Sequence, residues 1–189
     1  YGFHLEKKPL RIVGNESQII LMFYDLYLQA YSDHEWPFTE INQEAILRYI
    51  HRFEELAGIN FHQSSRRKLS FFLTIFFKRK QQGYVVELEP CKIDTYVHTS
   101  IYQKMSVISE KVRDELNISL TIDDIVLITI AINASRYTFK DINLAKQTFL
   151  HYFKEGKIAI YQYAKEFISM LEQETGQRLT ENEEFIFEI

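Results

Sequence analysis

Only one cysteine, Cys91, occurs in 189 residues, which excludes an internal disulfide and is compatible with a reducing compartment. Six glycines and three prolines leave few tight turns, a scarcity that favours helices over a many-stranded sheet. No apolar run reaches membrane-spanning length, because Lys, Arg or Asp cuts each of the longest candidates. Excess charge of one sign is lacking too: 22 − 26 = −4, so no chain-wide attraction to nucleic acid or to an anionic membrane follows. There is no HExxH, no paired CxxC, no glycine-rich phosphate loop and no GxSxG elbow, so the expectation is a chain without a dedicated enzyme site. A signal-peptide pattern and an initiator Met are also missing. With a strand-like opening at Tyr1, the expectation is a cytoplasmic piece of something longer.

What is plentiful is aromatic surface, 15% of residues with 15 Phe and 12 Tyr, which argues against disorder. The stretch from Ser64 to Leu88 organises the rest. Leu69, Phe72, Leu73, Phe76 and Phe77 form one broad helical face, and Phe71 and Ile75 carry it most of the way round. A helix apolar on nearly every side belongs inside a bundle. Ser64 and Ser65 offer caps for its start, Lys78, Arg79 and Lys80 place positive charge at its end, and Gly83 follows as a stop. Before it, Tyr1 to Val13 reads as a hairpin, Asn15 with Gln18 opens a helix over 17–31, and Pro37 breaks the pattern. A helix from Thr39 or Asn42 to Ala57 ends at Gly58. After it, 83–97 is the least helical stretch, with YVVEL strand-like. Further helices are expected over 100–116, from the Thr121-x-x-Asp124 capping box onward, over 139–153, over 157–175, and from Thr180.

A weak internal repeat appears at an offset of 118 residues: YIHRFEELAGINF (49–61) lies over FISMLEQETGQRL (167–179). Glu54 falls on Glu172, Gly58 on Gly176 and Phe61 on Leu179. Two amphipathic helices that end in Gly will often align this way; a true repeat makes the chain one complete helical module and the start of another.

Few residues suggest chemistry. His51 with Glu54 and Glu55 has a spacing that one helical face could offer a divalent metal, but no second ligand pair accompanies it, so no metal or other cofactor is expected. Ser64, Ser65, Arg66, Arg67 and Lys68 crowd hydroxyls and cations at a helix start, where free amides also favour an anion. Those side chains either receive a phosphate or pair with Glu54, Glu55 or solvent. The aromatics fall at core spacing, which sets nucleic-acid stacking aside.

The opening FHLEKKPLRIVGNESQI, with Ile12, Gly14 and Glu16 in an I-x-G-x-E pattern, resembles the wing hairpin and helix that close a winged-helix domain in multidomain bacterial regulators. YDLYLQAY, EWPF and LSFFLTIFFKRKQQGYVVEL resemble the Mga/AtxA-like virulence regulators of Gram-positive bacteria, in which tandem PTS regulation domains (PRDs) follow the winged helices. The resemblance implies an all-α, PRD-like helical bundle preceded by a β-hairpin remnant of the winged helix. It divides the chain into 1–38 (hairpin, helix and linker), 39–139 (first regulation domain) and 140–189 (linker helix and the start of a second). It implies regulation of transcription, DNA contacted only through a domain outside this chain, PTS phosphocarrier proteins as partners, no membrane partner and a homodimer or other homo-oligomer. The usual phosphoacceptor histidines are replaced: Phe72 and Ala131 stand at their places. Phosphorylation would then need a displaced residue, with His51, His62 and His98 the candidates. A helical dimerisation or interaction module without phosphate sensing is the alternative.

Overall fold

A computed structural model describes residues 4–7, 10–32, 35–141 and 159–176, together with positions 143, 146, 147, 178 and 179. The chain divides into two compact units, 1–138 and 139–189. The first is an all-α bundle with small strand pairs. Its elements are β1 (His4–Lys7), β2 (Leu10–Val13), α1 (Glu16–Ala30), α2 (Gln43–Ala57), β3 (Ile59–Phe61), α3 (Gln63–Gln81), α4 (Pro90–Tyr96), α5 (Ser100–Leu116) and α6 (Ile122–Asn133). Then comes β4 (Tyr137–Phe139), which shares a two-stranded sheet with β3; α7 (Ala159–Thr175) lies in the second unit.

The expected rod is there. Every residue from Leu69 to Phe77 on α3 is buried. The polar interruptions resolve locally: the Ser70 hydroxyl donates to the Arg67 carbonyl and Thr74 to that of Ser70, both at 2.7 Å, so no hydroxyl hydrogen is stranded in the core. Helices α1, α2 and α6 pack against α3. Phe71 meets Trp36 and Phe38 edge-on at 5.7 and 5.3 Å, and Phe77 meets Tyr49 at 5.7 Å, geometries that suit the ring quadrupole. Trp36 and Phe38 thereby pin the linker around Pro37 onto the bundle. The second core element, α6, opens with a full capping box: Thr121 accepts from the Asp124 N–H at 3.3 Å and Asp124 accepts from the Thr121 N–H at 2.8 Å.

The hairpin also forms, β1 running antiparallel to β2 with His4 opposite Val13 and Lys7 opposite Leu10. Asn15 caps α1 through its side chain, and Asn42 caps α2 in the same way at 2.8 Å.

Three local expectations differ from the structure. Ser64 and Ser65 do not cap α3: the helix begins at Gln63 behind His62 with no side-chain cap, both serines lie within its first turn, and the Ser65 hydroxyl accepts from the Arg136 N–H at 2.9 Å. YVVEL is not a strand: its backbone is held by side chains, Asp123 accepting from the Leu88 N–H at 2.8 Å and Asn15 donating to the Glu87 carbonyl at 3.2 Å. Within 83–97 a short helix, α4, forms with Pro90 in its first turn, where a missing N–H costs nothing. The helix expected over 139–153 falls largely outside the described residues, and the one expected from Thr180 wholly so.

In the second unit α7 is described along its length, and its end repeats a device of the first. Gly58 after α2 and Gly176 after α7 both take φ of +67°, left-handed backbone that favours glycine. Seven residues after Glu54, the Phe61 N–H donates to its carboxylate at 2.7 Å; seven residues after Glu172, the Leu179 N–H does the same at 2.5 Å. The aligned positions therefore share a turn as well as a pattern.

Candidate regulatory site at the start of the central helix

The five residues from Ser64 to Lys68 do not converge on one point. Arg66 donates to the Glu54 carboxylate at 2.7 Å, and that carboxylate, 1% exposed, also receives the Phe61 N–H. Arg67 donates to the carbonyls of Tyr31 and Ser32 and lies 4.6 Å over the Phe71 ring, a cation–π contact. Ser65 is buried and holds Arg136. Ser64 and Lys68 are exposed. An open cleft of about 570 Å³ contains Arg66, Arg67 and Lys68 together with Glu35. Hydrogen bonding from the Ser32 N–H, at 2.7 Å, holds the Glu35 carboxyl below the usual range, with a smaller contribution from Arg67. Two of the three cations thus have structural partners, and Lys68 has no ion-pair partner among the described residues.

The three histidine candidates lie apart. His51 is exposed on α2, its ring 3.7 Å from Glu54 and 3.9 Å from Glu55. His62 is exposed at the N-cap of α3; its N–H donates to the Arg136 carbonyl at 3.0 Å and its own carbonyl accepts from Arg66. His98 is exposed in the turn between α4 and α5. Among the described residues no three His, Cys, Asp or Glu gather in a way that could hold a metal ion.

Phe72 and Ala131, far apart in sequence, line one cavity of about 440 Å³ between α1, α3 and α6. Phe72 is buried, edge-on to Tyr24 at 6.2 Å and stacked on Phe76 at 6.3 Å. Burial raises the Tyr24 phenol above its ordinary pKa. Composition did not reveal this juxtaposition, because it depends on the crossing of α3 and α6.

At the other end of α3 two ion pairs lock the bundle. Arg79 donates through Nε and a terminal nitrogen to both carboxylate oxygens of Glu16, the second bond 2.8 Å long. It also lies 3.9 Å over the Tyr84 ring. Lys80 sits 2.6 Å from Asp124, which is fully buried. The I-x-G-x-E opening and the Lys-Arg helix ending, two separate motifs in sequence, therefore meet in space.

This architecture defines a class. Residues 47–135 match the PRD domain family, and the chain belongs with the PRD-containing, AtxA-like proteins of Gram-positive bacteria. It is 46% identical over 187 residues to the capsule synthesis positive regulator AcpB of Bacillus anthracis and 44% identical over the same length to AcpA of that organism. Each alignment covers 99% of this chain and 39% of the relative. The anthrax toxin expression trans-acting positive regulator of Bacillus anthracis is 23% identical over 129 residues, 68% of this chain and 27% of the relative. The chain thus spans about two-fifths of the capsule regulators' length. No helix among the described residues is long and apolar enough to cross a membrane.

Proposed function

We propose that this chain is the signal-sensing and oligomerisation region of an AtxA-like transcription regulator, a non-enzymatic, cytoplasmic module that acts on an attached DNA-binding region. The likeness to two capsule regulators across 99% of the chain supports this reading. In it, residues 1–38 are the end of a winged-helix domain, 39–139 the first regulation domain and 140–189 the beginning of a second. The recurrence of the Glu54–Phe61 device at Glu172–Leu179 supports the last assignment.

The input is PTS-dependent phosphorylation of a histidine other than the usual two. Of the three candidates, His62 has the most favourable surroundings. It precedes a 19-residue helix whose first amides receive no side-chain cap, and that end carries the positive part of the helix dipole. A phosphoryl group adds about −1.5 to −2 charges at neutral pH. On His51 the same charge would face Glu54 and Glu55. Of the anion-binding candidates Ser64 to Lys68, the exposed Ser64 and Lys68 are left for this role, because Ser65, Arg66 and Arg67 have structural partners. Incubation with the general PTS phosphocarrier and labelled phosphoenolpyruvate, followed by peptide mapping, tests this. Label at His62 that His62→Ala removes is the expected result. Absence of label at His51, His62 and His98 alike would overturn phosphate sensing and leave the second reading, a helical dimerisation module, which the replacement of both usual histidines favours.

A further inference from the structure

We propose that the cavity between α1, α3 and α6 binds a small anionic amphiphile, a molecule with an apolar body and a carboxylate or phosphate head. The inference does not depend on phosphorylation of any histidine. At about 440 Å³ the cavity falls in the range of small-molecule sites. Much of its wall is apolar: Leu69, Phe72 and Leu127 are buried, and Tyr24, Ile130 and Ala131 line it with them. Leu21, an exposed large hydrophobic side chain on α1, borders it as well.

Its charged lining has one sign. Among the described residues, Lys68 and Arg136 both border the cavity, no Asp or Glu does, and neither cation has an ion-pair partner. Arg66 and Arg67, by contrast, are tied to Glu54 and to backbone carbonyls, whereas Lys68, which also borders the cleft with Glu35, is not. An apolar wall with uncompensated cations at its border complements a ligand that is greasy along its length and negative at one end. The backbone at this border is anchored on both sides. The Ser65 hydroxyl holds the Arg136 N–H and the His62 N–H holds the Arg136 carbonyl, so residue 136 cannot swing away from the start of α3. Tyr24, kept protonated by burial well above neutral pH, offers a hydroxyl donor on the same wall.

Isothermal titration of the full chain with decanoate, decyl phosphate, decanol, acetate and inorganic phosphate, each below any micellar concentration, tests the proposal. Saturable 1:1 binding of decanoate or decyl phosphate is expected, at least about tenfold tighter than decanol, with acetate and inorganic phosphate at least about a hundredfold weaker. The better of the two charged probes identifies the head group. Ala131→Phe, which fills the cavity, should remove binding. Lys68→Glu with Arg136→Glu, surface changes that leave the core intact, should weaken it at least tenfold while circular dichroism stays unchanged. If no charged probe saturates, if decanol binds as tightly as decanoate, or if the folded charge-reversal variant binds like the parent, the assignment is overturned.

Discussion

Arg66→Ala is the substitution with the most informative consequence in the first unit. Glu54 is 1% exposed and its Oε1 is shared by the Phe61 N–H and Arg66, each at 2.7 Å. Without Arg66 the carboxylate keeps one backbone donor but no strong cation, since His51 is 3.7 Å away and exposed. Removing one member of a fully buried pair costs about 3–5 kcal/mol; the Arg66 side chain is 42% exposed, so screening brings the expectation nearer to about 2 kcal/mol. With a urea dependence of about 2 kcal/mol per molar, the midpoint should fall by about 1 M. Trp36 is the sole tryptophan and lies in the first unit against Phe38 and Phe71, so its fluorescence follows that unit. Glu54→Gln retains an acceptor for Phe61 without the buried charge and should cost about 1 kcal/mol. The double variant no longer strands a charge, and its loss should be smaller than the sum of the two by about 1 kcal/mol or more. Strict additivity, or a midpoint that Arg66→Ala leaves within about 0.2 M, would refute this account of the pair.

Three further expectations follow from local geometry. The Tyr49 hydroxyl is buried with no hydrogen-bond partner among the described residues, so Tyr49→Phe should leave stability unchanged or raise it by up to about 1 kcal/mol in the same urea assay; the repeat places Phe167 at the equivalent position. Gly58→Ala at φ +67° should cost about 1–2 kcal/mol, read from the Trp36 transition, whereas Gly176→Ala should leave that transition in place because Gly176 belongs to the other unit. Glu35 should titrate below ordinary glutamates in a carbon-detected NMR titration, with the Ser32 amide shift following it. Because its folded pKa is depressed, any stability it lends is present at neutral pH and disappears as acid takes the solution down through that lowered value.

Periodicity carried much of the fold. The apolar face of α3, the α5 bounds at Ser100 and Leu116, and the Thr121–Asp124 box are all readable from residues a few places apart, because helices are closed by local bonds. The three-residue strands β3 and β4 have no period to detect, and the stretch after Gly83 is set by Asn15 and Asp123 from distant segments. The candidate site was legible only in part. Arg66 near Glu54 was one of two open readings in sequence, and the structure pairs them. The meeting of Phe72 with Ala131, like that of Glu16 with Arg79, depends on how helices cross, and single-residue patterns do not encode crossing. Asp124 shows both sides: its capping role is local, and its ion pair with Lys80 is not.

The double-toothed grip of Arg79 on Glu16 makes α3 a push-rod. Nineteen residues at 1.5 Å each give a shaft of about 28 Å. Its amino end bears His62 and Lys68, and its carboxyl end is clamped to the first residue of α1, three positions beyond the hairpin. The middle of that shaft, Leu69 to Phe77, is buried throughout, while the two clefts leave open space beside its amino-terminal half. The Arg79–Glu16 pair thus ties the far end of that shaft to the root of the hairpin, and loss of Arg79 would remove that side-chain tie.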